Sequence, residues 1–242
     1  MIVVTVAATA FLWLFFGNTA WIKLTWNTYS DGLFTVYYPD NSVIKDDVPG
    51  WLARRQDAFE KNCEFLGVDW NYGPITFFVF NDSKQGLEYG YKLGFARPRD
   101  NVIFTRHNQT TGHELTHLIT YRINEGKQIR SGVIREGIAV YLDRSRRNVH
   151  AMSYKLHNST DRKITSGDLS KRNFYHFENS YPLAGSFVKY LIETYGIEKF
   201  KALYAQSTYW EAEAFDRFYG KSFDQLFDEW VGFLNDKKWR KP

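Results

Sequence analysis

The segment "TTGHELTHLITYR" (Thr110–Arg122) contains two histidines and a glutamate in the order H-E-x-x-H. An α-helix turns about 100° per residue, so His113 and His117 lie about 40° apart, one turn above the other. Imidazoles at this spacing can bind one zinc ion. Glu114 is displaced to the side, where its carboxylate can hold a water without taking a coordination position. The segment therefore predicts two zinc ligands, His113 and His117, and a general base, Glu114.

A third ligand is predicted on the next apolar segment, "GVIREGIAVYLDR" (Gly132–Arg144). A helix that is apolar on nearly all sides is buried, so Glu136 is expected to be buried with it, and a buried carboxylate needs a partner. A zinc ion already held by two histidines is such a partner. An ion pair of Glu136 with Arg135 or with Arg122 is the alternative.

Strands are expected in the first half of the chain. Runs of β-branched and aromatic residues predict three of them, at Leu33–Pro39, Pro74–Phe80 and Asn101–Thr105. The nearly continuous apolar run of Pro74–Phe80 is typical of a central strand. Pro98 and the charged residues around it place Asn101–Thr105 ("NVIFT") at the edge of the sheet. An edge strand there could bind extended peptide backbone by β-augmentation.

Helices are expected to dominate the second half, and one helix is expected between the first two strands. The predicted helices are Pro49–Leu66, Thr110–Ile123, Gly132–Arg144, Pro182–Tyr195, Ile197–Gln206 and Ser222–Leu234. The last of them begins with a capping box made by Ser222 and Gln225. The polar, basic stretch Ser145–Ser180 is predicted to be mostly irregular. Strands followed by helices predict an α+β fold.

Composition bounds the classes of protein that fit. A chain of 242 residues, 44% hydrophobic and 24% charged, is expected to be folded and to bury a core. The formal net charge is +4, and no long basic stripe interleaved with aromatic residues is found, so we expect no nucleic-acid partner. The single cysteine, Cys63, excludes an internal disulfide and any multi-cysteine metal site, and its helical setting predicts a buried apolar role.

The spacing of the three predicted ligands resembles a known family. HELTH followed, after eighteen residues, by Glu136 matches the gluzincin pattern of zinc metallopeptidases. "REGIAVYLD" is similar to the Asn-Glu-Gly-Phe-Ala-x-Tyr-x-Glu segment of the M1 aminopeptidase family. The chain looks like the smaller peptidase MA-like domains of bacterial proteins over Leu33–Leu234. This resemblance implies a thermolysin-like catalytic domain, with a small N-terminal mixed β-sheet and a helix followed by a mainly helical C-terminal lobe.

The resemblance also implies roles for individual residues. His113, His117 and Glu136 would hold one Zn²⁺ per chain, and Glu114 would be the general base and proton shuttle. Asp143, seven residues after Glu136 and expected on the same face of the helix, would support the ligands, with a solvated acid near Arg144 and Arg146 as the alternative.

A further donor is needed for the oxyanion that forms when an amide is attacked. Related families supply a tyrosine from a helix after the third ligand, which makes Tyr181 the candidate. His176, five residues earlier, is the competing transition-state donor.

The resemblance and the chemistry together predict a zinc metallopeptidase acting on a polypeptide. The Gly-x-Met-Glu-Asn element that recognises a free amino terminus in M1 enzymes is missing, and the chain reads "GFARPRDNVIFT" where it might fall. An endopeptidase or narrow processing enzyme is therefore expected. Two alternatives are a non-catalytic binding or scaffold domain of the same fold and a zinc hydrolase of a non-protein amide, such as peptidoglycan crosslinks.

The N-terminal residues predict export. Residues 2–22 carry no charged side chain, which is typical of a signal peptide or a short membrane anchor, with a buried first strand or helix as the alternative. The predicted organisation is a signal peptide or anchor at 1–22, a metallopeptidase domain at 24–236 and a basic tail at 237–242. We expect an exported or membrane-anchored protein of the bacterial envelope that associates with the membrane through its N-terminus. The oligomeric state is left open.

Overall fold

The computed structural model describes residues 19–127, 131–143, 148–159, 163–169, 174–206 and 212–236. The chain divides into two compact units. The first consists of the residues up to Asp57 together with Trp70–Gln109, and the second of Ala58–Asp69 together with the residues from Thr110 onward. The first unit carries the strands and the second is helical. The chain is therefore a mixed α/β protein with an N-terminal sheet and a mainly helical remainder.

The sheet of the first unit has five strands in the order β1-β2-β3-β5-β4. They are β1 (Asn27–Asp31), β2 (Phe34–Tyr38), β3 (Ile75–Phe80), β4 (Phe95–Arg97) and β5 (Val102–Arg106). The three inner strands, β2, β3 and β5, run parallel, and each outer strand is antiparallel to its neighbour. The predicted central position of β3 is confirmed, since it pairs with β2 on one side and β5 on the other.

The predicted edge position of β5 is wrong. The three-residue strand β4 pairs antiparallel with β5, with Phe95 opposite Phe104 and Arg97 opposite Val102. A strand this short, followed at once by Pro98, carries no alternating pattern that the sequence could reveal. Because β5 is paired on both sides over Val102–Phe104, it does not offer a free edge for β-augmentation there.

The end of the charge-free N-terminal run is part of the folded first unit. Residues 19–25 are helical, and Ile22 is fully buried. Ile22 and Trp26 pack in one hydrophobic cluster with residues of the sheet, namely Phe78, Phe80, Val102 and Phe104. Residues 1–18, which hold most of the predicted signal peptide or anchor, and the basic tail 237–242 lie outside the described residues. Among the described helices, none combines the length and the apolar character needed to cross a bilayer.

The remaining regular elements of the described chain are helices. Those that include residues of the first unit are the helical residues 19–25, a 3-10 turn at Lys45–Asp47, α1 (Val48–Leu66), whose second half belongs to the second unit, and α2 (Ser83–Glu88). Those of the second unit are α3 (His113–Ile123), α4 (Gly132–Tyr141), α5 (Val149–Ser159), α6 (Ser166–Leu169), α7 (Ser180–Tyr195), α8 (Ile197–Gln206), α9 (Ala212–Tyr219) and α10 (Phe223–Asn235).

Most predicted helices are confirmed, and one predicted loop is wrong. The capping box at the start of α10 is present, with the Ser222 hydroxyl accepting from the Gln225 backbone and the Gln225 side chain accepting from the Ser222 backbone. The described part of Ser145–Ser180 is more than half helical, with α5 and α6, instead of being mostly irregular. Helix α5 forms because a few buried contacts, such as Val149 and His150, are enough to hold one face of a largely polar helix.

Helices α4 and α7 cross at two glycines. A Cβ on Gly137 would lie 2.5 Å from Val188 Cγ2 and 2.7 Å from the Ala184 carbonyl oxygen, and a Cβ on Gly185 would lie 2.4 Å from Val140 Cγ1. The backbones can approach this closely because neither glycine carries a side chain. The close crossing fixes the position of α4, the helix that carries Glu136.

Candidate metal centre

Helix α3, which carries the H-E-x-x-H motif, begins at a tight backbone contact. The Gly112 N–H donates to the backbone oxygen of Asp143 at 3.2 Å, and a Cβ on Gly112 would lie 2.6 Å from the Leu142 carbonyl oxygen. The first turn is closed by Thr116, whose N–H and hydroxyl both bond to the Gly112 carbonyl at 2.8 and 2.9 Å. These contacts hold the start of the motif helix against the segment that follows α4.

A buried asparagine joins the same two segments. Asn62, on the second half of α1, donates from Nδ2 to the Thr116 hydroxyl at 3.0 Å and to the Leu142 carbonyl at 2.9 Å. Its side chain is fully buried. Buried polar groups of this kind are stabilising only when they are hydrogen-bonded, so Asn62 specifies one arrangement of α3 relative to the end of α4.

The three predicted ligands lie together. The distance from Glu136 Oε2 to His113 Nε2 is 3.2 Å, and that to His117 Nε2 is 3.3 Å. One ligand atom from each of the three residues lies within 4.8 Å of the others. Both imidazole nitrogens therefore converge on the same carboxylate oxygen, and the helical spacing of the two histidines is the one expected from the sequence.

The partners of Glu136 and His113 shift the pKa values of both side chains. Burial by itself raises the pKa of Glu136, but its hydrogen bonds to His113 and His117 and the charge of Arg135 outweigh it and hold that pKa well below the ordinary value. For His113, burial by itself lowers the pKa. The hydrogen bond to Glu136 and the nearby carboxylates of Glu114 and Asp143 outweigh burial, so the pKa of His113 lies above the ordinary value. Glu136 is thus an anion at neutral pH, as a metal ligand must be.

The donor set fits a zinc ion. Nitrogen and oxygen ligands at about 2.0–2.2 Å from a tetrahedral zinc lie about 3.3–3.6 Å from one another. The two separations from Glu136, 3.2 and 3.3 Å, lie close to the short end of this range. Two neutral imidazoles and one carboxylate are also the ligand types found in zinc sites with an open fourth position. His113, His117 and Glu136 would hold the ion.

The alternative partner for Glu136 is present as well. Arg135 donates from Nε and Nη2 to Glu136 Oε1 at 2.9 and 2.7 Å. The sequence posed an ion pair with arginine and a zinc ion held by the two histidines as alternative partners of one carboxylate. The structure accommodates both, because the arginine takes Oε1 and the histidines face Oε2.

Glu114 and Tyr181 border the three ligands. Glu114 lies in the first turn of α3 and is half-buried, and its charge acts on both His113 and Tyr181. The ring centroid of Tyr181, the second residue of α7, lies 6.3 Å from that of His113. His176 is exposed, and within the described part of the chain no ring or hydrogen-bond contact joins it to the ligands. The structure therefore brings the tyrosine, of the two predicted donors, to the site.

Asp143 is placed differently from the prediction. Helix α4 ends at Tyr141, so Asp143 lies beyond the helix and does not share a helical face with Glu136. It is 5% exposed, which makes the alternative of a solvated acid wrong. Its Oδ1 accepts from the Gly112 N–H at 3.3 Å, directly before His113. Arg144 and Arg146, the partners considered for it, lie outside the described residues.

Two residues near the ligands were not predicted to act there. Tyr175 accepts a 2.7 Å hydrogen bond at its hydroxyl from Arg135 Nη2, and it comes from an irregular stretch whose sequence gives no positional signal. Tyr204, on α8, donates to the Thr120 hydroxyl on the motif helix at 2.8 Å and is buried. Helical spacing could show that Tyr204 faces the core but not which helix it meets.

A second cluster that superficially resembles a catalytic triad is structural. His150 Nδ1 lies 2.8 Å from the Ser186 hydroxyl, and Nε2 lies 3.5 Å from Glu193. Ser186 is fully buried, and its hydroxyl also accepts from Trp230 Nε1 at 3.0 Å. A substrate cannot reach such a hydroxyl, so the cluster stabilises the packing of α5, α7 and α10.

The chain is thus a mixed α/β protein with a His-His-Glu group suited to a metal ion. No protein-family model matches the chain, and no curated protein matches it. Among solved structures it is similar to yeast LTA4 hydrolase in complex with bestatin, with a TM-score of 0.45 and 15% sequence identity over 88% of this chain. The match covers 37% of that structure's own chain. We therefore infer function from the geometry of His113, His117 and Glu136.

Proposed function

We propose that this protein is a zinc-dependent metallopeptidase of gluzincin type, an endopeptidase or narrow processing enzyme that acts on polypeptides. The observation that supports it is the convergence of His113 Nε2 and His117 Nε2 on Glu136 Oε2, at 3.2 and 3.3 Å. Three protein ligands leave a fourth position of a tetrahedral ion open, as in catalytic zinc sites.

Bound zinc would supply a Lewis acid that polarises the substrate carbonyl and lowers the pKa of a water to about 7. Glu114, beside the histidines and outside the ligand set, accepts the proton of the attacking water and passes it to the leaving amine. The Tyr181 hydroxyl, on a ring whose centroid lies 6.3 Å from that of His113, donates a hydrogen bond to the oxyanion. His113, His117 and Glu136 would hold the ion in a fixed position relative to Glu114 and Tyr181.

The missing recognition element supports cleavage of internal bonds. The sequence "GFARPRDNVIFT", at the place where an amino-terminus-binding glutamate would be expected, forms β4, the turn after it and β5, and it contains no glutamate. We extend the proposal to the location: the charge-free residues 2–22 direct the protein to the bacterial envelope or anchor it there.

The test combines metal analysis with cleavage of a peptide library by the wild-type protein and by Glu114→Gln. We expect one zinc per chain in both proteins and cleavage by the wild type alone, because the amide cannot accept the proton. Glu125→Gln is the matched control, since Glu125 follows the same helix and its side chain is 84% exposed. It should bind zinc and cleave like the wild type.

Other outcomes separate the remaining readings. Cleavage at the wild-type rate by Glu114→Gln would overturn the mechanism. Zinc binding without cleavage of any peptide or unfolded protein would favour a binding or scaffold domain. Zinc-dependent release of products from peptidoglycan fragments, but not from peptides, would assign the site to a non-protein amide.

A further inference from the structure

The two carboxylate oxygens of Glu136 are divided between two sets of partners. Oε2 faces His113 and His117 at 3.2 and 3.3 Å. Oε1 accepts two hydrogen bonds from Arg135, at 2.9 Å from Nε and 2.7 Å from Nη2. A carboxylate held in this way presents one oxygen to the histidines, and its plane cannot rotate without breaking the bonds to arginine.

Arg135 is itself held from the other side. Its Nη2 donates to the Tyr175 hydroxyl at 2.7 Å, and its guanidinium carbon lies 6.0 Å from the centroid of the Tyr175 ring. Tyr175 is supported by a ring contact to Phe174, which is fully buried against Gly132 at the start of α4. The chain of contacts therefore runs from the core through Tyr175 and Arg135 to Glu136.

The guanidinium has properties that a lysine would lack. It is planar and always charged, and its donors form a fixed fork, so it sets direction as well as charge. The Arg135 side chain is 28% exposed and that of Glu136 5%, so these charge-assisted bonds are shielded from water more than surface pairs are. Groups that orient metal ligands in this way change metal affinity by about 10–100-fold when they are removed.

We propose that Arg135 and Tyr175 are positioning residues of the metal centre, which hold Glu136 as a ligand through Oε2 alone. The inference rests on the proposed zinc site and adds to it a pair of residues outside the ligand set. By keeping Oε1 occupied, Arg135 preserves a low coordination number and leaves the open position for water.

The test is the zinc affinity of the metal-free protein, measured by competition with a chromophoric chelator. Arg135→Lys keeps the positive charge and loses the fork, so it should weaken zinc binding about 10–100-fold. Tyr175→Phe keeps the aromatic contact and loses the hydroxyl that anchors Arg135, so a smaller loss of about 3–10-fold is expected. Arg54→Lys and Tyr72→Phe make the same changes at exposed positions and should bind zinc like the wild type.

A second measurement reports coordination instead of affinity. Cobalt absorbs visible light more strongly in four-coordinate than in higher-coordinate sites. We expect the cobalt-loaded Arg135→Lys protein to show a weaker visible band, because Glu136, once released, can bind through both oxygens. A role of Arg135 in folding alone would not change the band of the folded, loaded protein.

The outcomes are distinct from those of the proposed function. If the wild-type protein binds no zinc, the proposed metal centre itself is wrong. A wild-type protein that binds zinc, with unchanged affinity and spectrum in Arg135→Lys, overturns the role of Arg135, and unchanged affinity in Tyr175→Phe overturns that of Tyr175. If Arg135→Lys does not fold, the zinc affinity of Tyr175→Phe tests the proposal. Tyr175 is 52% exposed, so this change should leave the fold intact.

Discussion

The rings of Tyr181 and His113 lie 6.3 Å apart, with 32° between their planes. Burial, followed by the negative charge of Glu136, raises the pKa of Tyr181 to about 12. The Tyr181 hydroxyl therefore keeps its proton at any pH at which a site built from histidines would function. A protonated phenol near the His-His-Glu group is suited to donate a hydrogen bond to a developing oxyanion.

Replacing Tyr181 by Phe should lower kcat and leave zinc affinity unchanged. The loss of one oxyanion donor costs about 10²–10³-fold in kcat. Steady-state kinetics with a fluorogenic peptide, together with chelator competition, give the two numbers. His176→Asn is the matched test of the competing donor, and a large loss of kcat in that variant, with none in Tyr181→Phe, would reverse the assignment.

Replacing Gly112 by Ala should destabilise the second unit. The new Cβ would lie 2.6 Å from the Leu142 carbonyl oxygen and 3.0 Å from that of Asp143, and backbone atoms cannot move aside as a flexible side chain can. The expected loss is about 1–3 kcal/mol in the free energy of unfolding, measured with urea. Gly232→Ala is the control: a Cβ there meets no atom within 4 Å, so stability should rise by up to about 1 kcal/mol.

Replacing Trp26 by Ala should destabilise the first unit. Trp26 is 9% exposed, and its ring meets Phe80 and Tyr89 edge-on at 4.9 and 5.4 Å between centroids. Removing a buried tryptophan costs about 3–5 kcal/mol, which denaturant titration followed by circular dichroism would detect. Leu24→Ala, two residues earlier and 71% exposed, should change stability by less than about 0.5 kcal/mol. Equal effects of the two substitutions would contradict the packing of this segment on the sheet.

Cys63 should not react in the folded protein. It is a free, buried thiol, and burial, with the charges of Asp69 and Glu60, raises its pKa to about 12. At pH 8 only about one thiol in 10⁴ would be ionised, and the thiolate is the reactive form. A thiol-specific chromogenic reagent should therefore label one thiol per chain in denaturant and almost none in buffer. Rapid labelling of the native protein would show that this helix is not packed as described.

His150 should make stability depend on pH. Burial lowers its pKa below the ordinary value of 6.5, with Lys189 acting in the same direction and Glu193 opposing both. The folded protein thus binds fewer protons than the unfolded chain below about pH 6.5, so this contribution is complete above that pH and is lost as pH falls towards the lowered pKa. Unfolding free energies measured over this range should be flatter with pH for His150→Asn. His176→Asn, the same change at an exposed histidine, is the matched comparison.

Local sequence patterns were enough to predict the elements that are stabilised by interactions between residues close together in the chain. The apolar run of β3, the spacing of His113 and His117 on α3, and the Ser222–Gln225 capping box were all predicted because periodicity and capping act within a few residues. The apolar surroundings of Glu136 also predicted its burial, since a helix apolar on all sides has no solvent face. Strand β4 and helix α5 escaped prediction because a three-residue strand and a largely polar helix depend on their neighbours.

The sequence by itself determined which residue types stand at ligand spacing on two helices, and hence that His113, His117 and Glu136 were the candidates. Only the tertiary structure decided that they converge, because that depends on the glycine crossing of α4 with α7 and on the contacts of Gly112 and Asn62. It also decided how Glu136 is shared. From the sequence, an arginine and a metal ion were the alternative partners of the buried carboxylate of Glu136. In the folded protein the two oxygens of Glu136 point in different directions within the carboxylate plane, so that Oε1 accepts from Arg135 while Oε2 faces His113 and His117.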